Sequence, residues 1–222
     1  MTDEPTGFLY PFIDSEERDE GSLVDALVES AVGKMDESRS LRTATVERIR
    51  TDLDSAADEM AARFIQGGRL LTFGNGGSAT DAGSASRLFV QPPWGRSLPA
   101  MSLVADQAVT TALANDISYS VVFSRQIEAY GQAADIALAF STSGGSENVL
   151  KGIEQAARRG ILTLGLAGYE GGAMAASANL NYCFVVRSQS IHRIQEAQSR
   201  VIFELWSAVQ RALAAQDTRS QS

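Results

Sequence analysis

The chain has 222 residues, 44% of them hydrophobic and 21% charged, with a formal net charge of −8. That is the balance of one globular domain large enough to bury a core. No apolar run reaches the roughly 18 residues of a membrane span, and no basic stripe offers a nucleic-acid surface, so neither membrane nor direct nucleic-acid binding is expected.

Residues 1–21 read as a flexible acidic tail. The first 20 hold seven acids (Asp3, Glu4, Asp14, Glu16, Glu17, Asp19, Glu20) against one base, Arg18. This start lacks the basic region of a signal peptide, so a cytoplasmic location is expected. Phe8-Leu9-Tyr10-Pro11-Phe12-Ile13 stands out within the tail. It either packs on its own domain or docks a partner or neighbouring subunit.

Residues 22–35 have the pattern of a short amphipathic helix, with Leu23, Leu27 and Val32 toward a core. Residues 40–66 form a longer one. Its apolar face is Val46, Ile49, Leu53, Met60 and Phe64, and Gly67-Gly68 ends it. Strands and helices then alternate. Strands are predicted near 69–74, 100–104, 135–141, 161–166 and 181–186. Helices are predicted near 78–90, 107–114, 119–130, 146–159, 171–177 and 192–215. The last places Ile194, Val201, Ile202, Leu205, Val209 and Leu213 on one face. The fold class is α/β: a five-stranded parallel sheet flanked by helices, over residues 22–215, with an N-terminal helical extension. Residues 216–222 read as a frayed polar end.

Two loops carry the chemistry. Gly74-Asn75-Gly76-Gly77-Ser78 follows the strand Arg69–Phe73, and Ser141-Thr142-Ser143-Gly144-Gly145-Ser146 follows Ile136–Phe140. Each opens a helix. Glycines let backbone N–H groups approach a ligand closely, and the helix dipole favours negative charge there. Asn75 offers an amide to hydroxyls. Ser78 has capping-box spacing with Asp81, so it either caps its helix or touches ligand. Ser141, Thr142, Ser143 and Ser146 add four hydroxyls. Together the loops fit a ligand with a phosphate and several hydroxyls. Neither is a Walker A loop or a Gly-x-Gly-x-x-Gly fingerprint. Cys183, the single cysteine, sits in the apolar run 182–186 and reads as a buried, inert thiol.

Five ordered motifs now stand together. They are Gly74-Asn75-Gly76-Gly77-Ser78-Ala79-x-Asp81-Ala82, Asn115-Asp116, Ser141-Thr142-Ser143-Gly144-x-Ser146, Leu166-Ala167-Gly168-x-x-Gly171-Gly172 and Arg193-Ile194-Gln195-Glu196. Over roughly residues 40–215 the chain resembles the sugar isomerase (SIS) domain, specifically its phosphoheptose isomerase branch. The resemblance implies a three-layer sandwich and a homotetramer with sites at subunit interfaces. It implies sugar-phosphate contacts at Asn75, Gly76, Gly77, Asn115, Asp116, Ser141, Thr142, Ser143, Ser146 and Gln195. It also implies a catalytic glutamate, a catalytic histidine, and zinc held by these two, a further histidine and the glutamine.

Counted by position, the further histidine falls at Ser84, the glutamate at Leu88 and the catalytic histidine at Phe203. Only Gln195 remains. Aldose–ketose interconversion needs a base and polarisation of oxygen, which Leu88 and Phe203 cannot supply. Zinc needs three or four N, S or O ligands, so no metal or other cofactor is expected. His192 either contacts ligand or acts as a base, or is a surface or capping residue, and Glu196 is a substitute candidate base. Arg87 either binds an added negative group or lies on a solvated face. Trp94 either shapes the pocket mouth or packs.

The expected function is sugar-phosphate binding without the usual zinc-dependent isomerisation. One alternative is a divergent isomerase using His192, Glu196 or Asp116 as base. Another is a tetrameric scaffold that binds a protein partner, with the N-terminal tail as the docking element.

Overall fold

Five apolar runs become five parallel strands because helical crossovers cover both faces of the sheet. The computed structural model describes residues 20–220. The acidic tail through residue 19, with its Phe8–Ile13 segment, lies outside the described residues. The strands are β1 (Leu70–Gly74), β2 (Ala100–Ser102), β3 (Ile136–Ser141), β4 (Leu162–Gly168) and β5 (Tyr182–Val186). Their order is β2-β1-β3-β4-β5, all parallel. Every residue of β1, β3 and β4 is buried, as expected of interior strands. At the edges β2 is half-buried throughout and β5 in part.

Side chains alternate between two cores. Leu70, Leu138, Phe140 and Leu164 face α1 (Glu20–Ile65), α2 (Gly77–Val90) and α7 (Ile191–Ser220). Leu71, Phe73, Ala137 and Ala139 face α4 (Val122–Tyr130) and α5 (Glu147–Arg158). The remaining α-helices among the described residues are α3 (Gln107–Asp116) and the short α6 (Gly172–Ala175). The predicted apolar stripes of the long helices are buried: Leu53, Met60, Val201, Leu205 and Val209 have no solvent exposure.

Three expectations need correction. Residues 22–35 and 40–66 are not separate helices but parts of one 46-residue helix, α1. Nothing from Lys34 to Leu41 breaks a helix, and the lone Gly33 is tolerated. The chain divides into two compact units, Met1–Ser40 and Leu41–Ser222. In the first, Leu27 and Val32 are about half exposed rather than buried, at 47% and 52%, along with Val24, Val28 and Met35. At the other end α7 continues past residue 215 to Ser220. The Thr218 hydroxyl donates to the Ala214 carbonyl, and Asp217 pairs with Arg96 at 3.4 Å.

The order of the strands places a switch point between β1 and β3. From β1 the chain moves outward to β2, then returns to the other side as β3. Ligands of open α/β sheets bind at such a crevice, beyond the strands' C-terminal ends. In register, Gly74 lies beside Phe140, so both loops open there.

Candidate functional site

The first loop enters α2 through Gly76, which has φ 54° and caps the helix without a side-chain hydrogen bond. Ser78 is therefore not the cap. It is buried inside the first turn, and Asp81 lies beyond that turn. Instead, the Asp81 carboxylate accepts from Gln195 Nε2 at 3.1 Å. Gln195 packs so closely over Gly77 that a side chain there would strike its carboxamide. Burial pushes the Asp81 carboxyl above its ordinary 3.8, and the Gln195 hydrogen bond offsets part of that rise.

Asn75 is held by a network. Its Nδ2 donates to Asn148 Oδ1 at 2.8 Å, and Asn148 Nδ2 donates back to Asn75 Oδ1 at 2.9 Å. The Tyr119 hydroxyl donates to the same Oδ1 at 2.8 Å. Both acceptor positions of Asn75 are thus filled, while one of its two amide N–H donors remains for a ligand. Asn148 and Tyr119 were not legible as site residues from motif spacing. The signal for Asn148 is an amide among Val149, Gly152 and Ile153, on the buried stripe of α5.

The second loop leaves β3 at Ser141. The Ser141 and Ser146 hydroxyls lie 3.1 Å apart, and Ser143 Oγ accepts from the Gly145 amide at 3.2 Å. Ser146 is the residue before α5, but its hydroxyl makes no capping bond and faces Ser141 instead. Half-buried Thr142 completes the hydroxyl set. The loop after β4 braces this arrangement. The Gly168 amide donates to the Thr142 carbonyl, and the Met174 amide to the Gly144 carbonyl, each at 2.9 Å. Gly144 has φ 65° and lies against the Gly171 backbone. Hydroxyls, a tight turn and the start of a 12-residue helix make a cradle suited to an anion.

Asn115 and Asp116 lie exposed at the end of α3, and Asn115 Nδ2 donates to Asp116 Oδ1 at 2.8 Å. Three residues on, Tyr119 is the group that reaches Asn75. His192 and Glu196 are exposed on the first turns of α7.

Ser84 is exposed on α2, and Leu88 is half-buried. Phe203 packs at a tilt against Trp206 with ring centroids 5.3 Å apart, and the Trp94 ring lies 4.6 Å from that of Trp206. Trp94 thus packs. Among the described residues no three His, Cys, Asp or Glu side chains gather to hold a metal. Ser84, Leu88 and Phe203 do not fit zinc, since none offers the imidazole or carboxylate such a site needs. Burial pushes the Cys183 thiol up to about 11, which keeps it protonated.

Two cavities adjoin α2. One of about 210 Å³ lies beside Asn75, walled by Gln107, Thr110, Thr111 and Tyr119. The other, a groove of about 1140 Å³, follows α2 and β2 past Ser84, Arg87 and Leu88. Val104 borders both.

The SIS domain family matches residues 35–168 of this geometry. The chain belongs to the SIS-domain family. Within the SIS family it lies in the phosphoheptose isomerase branch. It is 39% identical over 180 residues to the phosphoheptose isomerase of Pelobacter propionicus, covering 78% of this chain and 94% of that relative. It is 38% identical over 205 residues to that of Shewanella pealeana, covering 89% and 98%. Among solved SIS structures, the phosphoheptose isomerase of Neisseria gonorrhoeae superposes with a TM-score of 0.76 at 29% identity, over 82% of this chain and 98% of that one.

Proposed function

We propose that this SIS-domain protein binds a sugar phosphate and does not isomerise it by zinc chemistry. The phosphate rests in the Ser141–Ser146 cradle. Sugar hydroxyls meet the remaining N–H of Asn75 and the backbone of Gly76 and Gly77. The observation that carries this reading is the contrast between a braced cradle and the side chains at positions 84, 88 and 203. The Asn75 network and the Gly168 and Met174 bonds hold the binding loops in place. Ser84, Leu88 and Phe203 offer no base of useful pKa and no metal set. The test is one preparation assayed three ways with sedoheptulose 7-phosphate: calorimetric binding, turnover and bound metal. Binding without turnover or stoichiometric zinc is expected. Turnover, with or without zinc, overturns the reading.

The protein works as a homotetramer in this proposal. The exposed apolar stripe of Val24, Leu27, Val28, Val32 and Met35 supports self-association, since a chain rarely leaves so continuous a stripe to water. Sedimentation equilibrium of wild type and Leu27→Glu/Val32→Glu tests it. A monomeric wild type overturns it.

A further inference from the structure

We infer that the groove along α2 is a second anion subsite, which takes a phosphate at the end of the sugar remote from the cradle. This rests on the sugar-phosphate reading and extends it.

The chain has 27 Asp and Glu residues against 19 Lys and Arg, yet no acidic residue lines this groove and one arginine does. Arg87 makes no ion pair or side-chain hydrogen bond among the described residues. Its place in the last turn of α2 suits the helix dipole, which accounts for a cation but not for its surroundings. Those surroundings are hydrogen-bonding groups. Thr80 and Ser84 expose their side chains to the groove, and Ser102 Oγ, on edge strand β2, is buried there without a partner. A guanidinium and several hydroxyls, with no competing carboxylate, form a donor set for an oxyanion.

Geometry links this set to the first loop. Val104 borders both the groove and the cavity beside Asn75, so the two spaces adjoin. Thr80 and Arg87 both line the groove, seven residues apart on α2 and so roughly 10 Å apart along the helix axis at 1.5 Å per residue. Leu88 and Met101 supply an apolar wall against which a carbon chain lies. A monophosphate fills the cradle and the Asn75 cavity alone. A ligand phosphorylated at both ends also reaches Arg87.

The test compares matched ligands by calorimetry on the full chain: sedoheptulose 7-phosphate against sedoheptulose 1,7-bisphosphate, with fructose 6-phosphate and fructose 1,6-bisphosphate as a second pair. Wild type is expected to bind each bisphosphate about tenfold more tightly than its monophosphate, the scale of one charge-assisted contact. In Arg87→Gln, an exposed substitution that leaves the core untouched, that ratio falls to near one. Equal affinities in wild type, or a ratio unchanged in Arg87→Gln, overturn the inference and leave the sugar-phosphate reading intact. If wild type binds none of the four sugars, the sugar-phosphate reading itself fails, and this inference with it.

Discussion

Gln195, just past the first turn of α7, donates to Asp81 on α2, which ties the two helices together beside the first loop. Asp81 is half-buried, and desolvation raises its pKa above 3.8 more than the Gln195 bond lowers it. A carboxyl raised in the folded state binds its proton more tightly there than when unfolded. Its ionisation therefore costs stability above the folded pKa. That cost is relieved as pH falls through the folded value toward 3.8. Urea unfolding of wild type and Asp81→Asn should show wild type gaining on the variant between about pH 7 and pH 4. A wild type that loses ground over that range contradicts the assignment.

The Asn75–Asn148 pair makes a second prediction. Asn148 is 3% exposed, so Asn148→Ala leaves Asn75 without its amide partner in a part-buried place. A loss of about 1–3 kcal/mol in stability is expected, with a larger proportional loss in sugar-phosphate affinity because Asn75 no longer holds its orientation. Tyr119→Phe removes one hydroxyl donor while preserving the ring, and should cost about 0.5–1.5 kcal/mol. Chemical denaturation and calorimetry on the same samples separate the two effects. Affinity unchanged in both variants argues against Asn75 as a ligand contact.

The sequence made the sheet and the second loop readable for the same reason. Ile136–Phe140 has no polar residue, so it must lie inside a sheet, and the serines after it have nowhere to go but the strand's C-terminal end. The first loop was only half readable. Ser78 and Asp81 satisfy a capping spacing, yet Gly76 caps the helix through its own backbone and frees both side chains. Such a swap depends on a φ of 54°, which glycine adopts without announcing it. Tyr119 and Asn148 were hidden because their partner Asn75 is 44 and 73 residues away. Periodicity reports which face is buried, not which polar groups meet across it. The stripe at 24–35 was readable as amphipathic, but not what covers it.

Gly144 offers a test of the brace behind the cradle. Its φ of 65° is unfavourable for any residue with a side chain, and an added Cβ meets the Gly171 carbonyl and the Gly172 amide. Gly144→Ala should cost at least about 1–2 kcal/mol from the backbone conformation alone. It should also push apart the β3 and β4 loops, and phosphate affinity should fall more than stability. A variant with native affinity and melting temperature places the anion elsewhere.

The proposed loss of zinc-dependent isomerisation is tested most directly by supplying the groups that positions 84, 88 and 203 lack. Positions 84 and 88 are four residues apart on α2 and so share one face. Positions 195 and 203 lie about two turns apart on α7, and Gln195 already reaches α2 at Asp81. Combining Ser84→His, Leu88→Glu and Phe203→His gives zinc three N or O ligands besides Gln195. Loss of the Phe203–Trp206 contact should cost about 0.5–1.5 kcal/mol, so a melting curve must first show that the variant is folded. About one zinc per chain is then expected by elemental analysis, against none for wild type, followed by measurable turnover of sedoheptulose 7-phosphate. A folded variant that takes up no zinc means these three positions do not converge with Gln195, and contradicts the assignment of the proposed loss to them.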